Sequence, residues 1–222
     1  FVGDTSYIIA LDYGTFAQGR SENGSNIISS GKGGFAQGWS TDGTIEVTQD
    51  GGFAQGVASG DSSVIRSSHE GTFAQGYAKN GSDIIASAEG AFAQGRAYYI
   101  PPGGFGSYIR ASNRGTFAQG WVSGNTTTVV SKGFGAFSQG YSAGSSFIQA
   151  IESGTFVQGY VSGAFNGLDA KNKGTFVQGF VSGTGNKIRA GGEGAFAQGF
   201  AGDTSNITAL DYGTFAQGRS EN

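Results

Sequence analysis

The chain has 222 residues, 43 of them glycine, with 13% charged residues and a formal net charge of −3. Zero cysteines exclude a disulfide scaffold, a pI near 5.1 argues against a nucleic-acid binder, and glycine without a three-residue period excludes collagen. No stretch approaches the roughly 20 apolar residues of a membrane helix, and no secretion signal is evident. Without methionine, the chain reads as a processed product or an excised segment.

The first predicted strand is Ile8-Ile9-Ala10 and the second is Phe16-Ala17-Gln18-Gly19. This pair recurs to the end of the chain. The first motif, aliphatic–variable–small, returns at Ile27, Ile45, Ile65, Ile84, Ile109, Val129, Ile148, Leu168, Ile188 and Ile207. The second returns with phenylalanine at Phe35, Phe53, Phe73, Phe92, Phe117, Phe137, Phe156, Phe176, Phe196 and Phe215. Glutamine follows two residues later at Gln18, Gln37, Gln55, Gln75, Gln94, Gln119, Gln139, Gln158, Gln178, Gln198 and Gln217. Eleven copies across 199 residues give a mean interval of 19.9. A fixed period of this length means a solenoid, whose turns bury their inner faces by stacking.

The two connections differ. Five residues always separate the small residue of the first strand from the next Phe, and the fourth is always glycine, from Gly14 to Gly213. A fixed glycine there implies positive φ or close backbone contact. The other connection varies from 6 to 13 residues, so length variation is confined to one edge of the rod. Its longest member carries Tyr98, Tyr99, Pro101, Pro102 and Phe105, a candidate ligand-contact loop. The expected fold is all-β: a parallel β-solenoid, or β-roll, of about eleven ~20-residue turns with two short strands each. No helix is expected. Residues 1–222 read as one continuous repeat region, a segment of a longer repetitive chain.

A longer repeat lies above the short one. Residues 1–23 and 200–222 agree at 20 of 23 positions, differing at Val2/Ala201, Tyr7/Asn206 and Ile9/Thr208. This suggests units of about ten turns.

Two packings suit the Phe strand. In one, Phe and Gln are inside and the glutamines form a buried amide ladder. In the other, the alanines and small residues are inside while Phe, Gln and the residue after the glycine face out. The second is favoured. Arg20, Arg96 and Arg219 occupy that last column and cannot share a core unpaired, and Trp39 and Trp121 overfill a thin one. An outward stripe of eleven Phe must then be an interface. The Phe and Gln residues named above are therefore the candidate self-association surface.

The alternation of Gly-Thr-Phe-Ala-Gln-Gly with Ile-x-Ala resembles the head repeats of trimeric autotransporter adhesins, the YadA-like β-rolls, and related surface and tail-fibre repeats. The resemblance implies alanine inside each roll and the larger alternate residues packed between three chains. Phe16, Gln18 and their equivalents would line such an interface.

Catalytic and metal signatures are weak. His69 is the single histidine and sits in a turn, and there is no cysteine to join it around zinc. Acidic residues are scattered; Glu70 and Glu89, on adjacent turns, read as solvated. Gly31-Lys32-Gly33-Gly34 lacks the spacing of a phosphate loop. Asn23, Asn80, Asn125 and Asn206 head Asn-x-Ser/Thr triplets. No cofactor and no metal are expected. The leading reading is a non-enzymatic, extracellular structural or adhesive fibre. Its main partner is itself, as a homotrimer or filament, with a surface glycan or host receptor as a further partner. Nucleic-acid binding and membrane insertion are not expected. Two alternatives are kept. An ice-binding face would use Thr15, Thr72, Thr116, Thr155, Thr175 and Thr214. A glycan-binding face would use Trp39, Trp121, Tyr77, Tyr141 and Tyr160.

Overall fold

A computed structural model describes residues 2, 5–99 and 106–221. The described residues form twenty strands and no helix. They build eleven turns, each with an Ile strand and a Phe strand. Turn one pairs Tyr7–Ala10 with Phe16–Glu22, and turn two begins with Asn26–Ser29. Turn ten consists of Lys187–Ala190 and Phe196–Ala201, and turn eleven of Asn206–Ala209 and Phe215–Ser220. Two strands are longer than the period predicts: Phe35–Val47 and Phe53–Ser67 run through the variable edge into the next turn. Their connections stay extended around left-handed residues, Asp42 at φ 56° in the first and Gly60 at φ 88° with Ser62 at φ 62° in the second.

Pairing is parallel and in register, motif on motif. Phe73, Ala74, Gln75 and Gly76 lie beside Phe92, Ala93, Gln94 and Gly95. Ile strands stack likewise, with Ile84 beside Ile109. Every strand pairs only with the turns directly above and below. At a strand separation of about 4.8 Å, eleven turns make a rod roughly 50 Å long.

The core follows from the period-two pattern. Ile27, Ile45, Ile65, Ile84, Ile109, Ile148, Leu168 and Ile188 are fully buried. So are Ala36, Ala54, Ala74 and Ala93 on the facing strand, with Ala58, Ala78, Ala97 and Val122 beside them. Each buried Ile contributes roughly 1.5–3 kcal/mol of apolar burial. The alanine face is therefore inside and the Phe/Gln face outside, the second of the two packings.

The constant glycines serve two different needs. At the constant corner, Gly71 has φ 62° and a Cβ there would touch nothing. The requirement is conformational: a turn with a left-handed third residue. At the other glycine, where Gly95 has φ 142°, space is required as well. A Cβ on Gly95 would lie 1.9 Å from the Gly120 carbonyl oxygen and 2.9 Å from Ile109 Cδ1.

The variable edge hides a polar column. Ser107 Oγ donates to the Gly124 carbonyl at 2.6 Å, and Ser146 Oγ to that of Gly163 at 2.6 Å. Asn166 Nδ2 donates to the Gly183 carbonyl at 2.8 Å, and its Oδ1 accepts from the Asn186 amide at 2.8 Å. These buried side chains satisfy backbone groups that the loops leave without strand partners.

Candidate functional site: the phenylalanine and glutamine face

Three columns run along the outer face of the Phe strands. In the first, all eleven Phe rings stack. Successive centroids lie 4.7 to 4.9 Å apart and planes agree within 10°. The 4.8 Å strand spacing imposes this distance. Ring faces are covered by neighbouring rings, so interior members are half-buried and present their edges. Each stacked pair adds about 0.5–1.5 kcal/mol. A non-aromatic residue at an interior position would break two pairs, which favours an aromatic ring at this place in every turn.

In the second column every glutamine is bonded. Gln37 Nε2 donates to Gln18 Oε1 at 3.2 Å, Gln55 to Gln37 at 2.8 Å, Gln75 to Gln55 at 2.7 Å and Gln94 to Gln75 at 2.7 Å. The series continues through Gln119, Gln139, Gln158, Gln178 and Gln198 to Gln217. The sequence reading attached such a ladder to a buried glutamine column. It forms instead on the outside, because in-register stacking alone brings the amides together. Each interior glutamine retains one N–H and one oxygen lone pair beyond the ladder. A groove of about 1170 Å³ runs beside it from Gln18 to Gln119, floored by the glycine column and walled by Trp39 and Val57.

The third column holds the residue after the glycine. Arg20 lies over the Trp39 ring at 5.0 Å, and Arg96 lies over Tyr77 at 5.2 Å and Trp121 at 5.0 Å. Tyr141, Tyr160, Phe180 and Phe200 stack in turn at 4.7 to 5.2 Å, and Arg219 lies over Phe200 at 5.4 Å. Guanidinium groups thus take the place of rings along this column, which Val57 interrupts and in which Trp121 meets Tyr141 edge-on at 5.7 Å.

This arrangement bears on both alternatives. Tyr141 and Tyr160 are stacked face to face, and Trp39 is covered by Arg20. Stacking on a sugar ring needs a free aromatic face, and the faces that Tyr141 and Tyr160 turn to each other and that Trp39 turns to Arg20 are occupied. The threonine file lies inside the corner: Thr72, Thr116, Thr155 and Thr175 are buried. Their hydroxyls donate to carbonyls three residues back, as Thr72 does to His69 at 2.6 Å. The other two members of the file, Thr15 and Thr214, are half-buried.

The remaining candidates stay apart. His69 and Glu70 are exposed in a turn, and Glu89 is paired with Arg114 at 2.8 Å. Among the described residues, no group of three His, Cys, Asp or Glu side chains is placed to hold a metal ion. Nor is any helix there long and apolar enough to cross a membrane. In the long connection, Tyr98 is half-buried under Lys79 at 5.6 Å, and Tyr99 donates its amide to the Lys79 carbonyl at 3.3 Å. Pro101, Pro102 and Phe105 lie outside the described residues.

The outer face of the Ile strands carries charge. Glu46 pairs with Arg66 at 2.7 Å, and Asp169 accepts from Gln149 at 3.0 Å with Lys171 at 3.4 Å. Asp83 stands 3.8 Å from Arg110, yet burial pushes its carboxyl above the ordinary 3.8, against the pull of Arg110 and Arg66. A carboxyl raised on folding binds its proton more tightly in the folded chain. Its destabilising contribution is absent below pH 3.8, grows as pH rises through the folded value and is complete above it. Asp83→Asn is therefore expected to melt above the parent chain at pH 7 and level with it at pH 3. Paired thermal unfolding curves check this; a gap that is widest at pH 3 contradicts it.

Comparison with models of known protein families gives no match for this chain, and neither does comparison with curated proteins.

Proposed function

We propose that the protein is a non-enzymatic structural element of an extracellular fibre, built from rods that associate side by side through the Phe/Gln face. The observation that carries this reading is the unbroken eleven-ring Phe stack beside its ten-bond glutamine ladder, both outside the core. An apolar ridge of that length calls for a cover. Its repeat of 4.7 to 4.9 Å is matched all along only by a partner with the same repeat, and another copy of this chain has it. Stacked aromatics and glutamine ladders are the side-chain arrays that close dry interfaces between sheets. The resemblance to adhesin heads favours three chains. The absence of cysteine and methionine suits an oxidising exterior. Adhesion to a surface glycan or host receptor would fall to the variable edge.

Light scattering coupled to size exclusion tests the reading. The expected mass is a multiple of 22.6 kDa, three chains or more. A stable single chain overturns side-by-side assembly.

A further inference from the structure

We infer that ten turns, 199 residues, are the translational repeat of this solenoid, and that the upper face of turn ten is a docking site for the first turn of a second copy. This is independent of the side-by-side reading, because it concerns the ends of the rod. The chain contains a replica of the joint. Asn206–Ser220, which stacks on turn ten, nearly repeats turn one.

Turn ten meets turn eleven through ten in-register pairs, from Lys187 beside Asn206 to Ala201 beside Ser220. With turn one in that place, eight of the ten pairs keep both residues; only the partners of Lys187 and Arg189 change, from Asn206 to Tyr7 and from Thr208 to Ile9. Both altered positions alternate outward from the core, flanking the inward Ile207 and Ala209. Ile8, Ala10, Phe16, Ala17, Gln18 and Gly19 match what turn ten now touches. Arg20 would lie over Phe200 as Arg219 does at 5.4 Å. Turn two, in the same way, accepts turn eleven in place of turn one, since Gln18 beside Gln37 and Arg20 beside Trp39 become Gln217 and Arg219. Even turns that share the third-column residue and loop length, such as those of Tyr77 and Tyr141, differ at most of their other positions, so the match is specific. In the parent chain the covalently attached turn fills each site ahead of a second copy, through its higher effective concentration.

The test uses full-length chains in which a terminal turn is undocked. Ile207→Asp with Ala216→Asp places charges in the core of turn eleven and bares turn ten. Ile8→Asp with Ala17→Asp bares turn two. Each variant retains one copy of the shared turn and is expected to join end to end into rods whose lengths step by about 48 Å. The variant with all four substitutions keeps no intact copy and is expected to hold the mass of the parent chain. Gln198→Cys in one population of the first variant and Gln18→Cys in another are expected to cross-link, since adjacent in-register positions fall within disulfide reach and the native chain has no cysteine. If a paired substitution lowers the strand signal in circular dichroism by more than one turn in eleven, Ala216→Pro replaces it, blocking the strand without charging the core. Equal or greater polymerisation of the four-fold variant overturns the inference, because that is the outcome of merely sticky ends. Two-fold variants that keep the parent mass, or rods without the 198–18 cross-link, also overturn it.

Discussion

Gly95→Ala is expected to destabilise the chain by about 3 kcal/mol or more. The backbone at Gly95 has φ 142°, a region that costs a residue with a Cβ roughly 1–3 kcal/mol. The added Cβ also falls 1.9 Å from the Gly120 carbonyl oxygen, which is backbone and cannot swing aside. The two turns must part there, weakening strand bonds worth about 1 kcal/mol each. Because turns touch only their neighbours, the damage would divide the rod into two shorter cooperative units. Gly71→Asn is the contrasting case. Its φ of 62° is one that Asn adopts readily, and its Cβ has open space. A loss under about 1 kcal/mol is expected there. Urea unfolding of both variants decides the matter. If Gly95→Ala lies within 0.5 kcal/mol of the parent while Gly71→Asn does not, the assignment of steric and conformational roles is reversed.

Phe92→Lys is expected to weaken assembly by a hundredfold or more while each chain stays folded. Phe92 stacks between Phe73 and Phe117 at 4.7 Å on each side. The single chain loses two stacking pairs, roughly 1–3 kcal/mol. Its core is untouched, because Ala91 and Ala93 carry the buried positions on either side. In a closed Phe/Gln interface the lysine is a charge without a partner, and such a charge costs about 3–5 kcal/mol, beyond a hundredfold in affinity. Tyr141→Arg is the control. It changes an equally large side chain in the third column, where arginine already occurs at Arg20, Arg96 and Arg219. Sedimentation across a concentration series should show Phe92→Lys dissociating at concentrations where Tyr141→Arg remains assembled. Equal behaviour of the two would remove the Phe column from the interface.

Much of this architecture is legible in the chain as written. The period near 20, the alternation within each strand and the constant spacing before each Phe fix turn number, which residues share a strand face and the invariant corner, because each is a local requirement repeated eleven times. The polar column of Ser107, Ser146 and Asn166 escaped that reading. Those residues look like ordinary loop polars, and their burial depends on carbonyls supplied by the next turn. The roles of Arg20, Arg96 and Arg219 were half visible. Their charge argues against the core, but only stacking reveals that guanidinium groups continue an aromatic column.

The glutamine ladder separates the two levels most clearly. Sequence alone determined that Gln recurs at one place on every turn, and therefore that the amides align. It attached their bonding to burial, since that is where unpaired amides are costly. The tertiary structure decided otherwise. Turns stacked about 4.8 Å apart hold the amides within hydrogen-bonding distance whichever way they face. Which face lies inside is settled by volume: the Ile side chains already reach the facing strand, Ile109 Cδ1 coming within 2.9 Å of where a Cβ on Gly95 would lie, which leaves room for Ala and none for Phe.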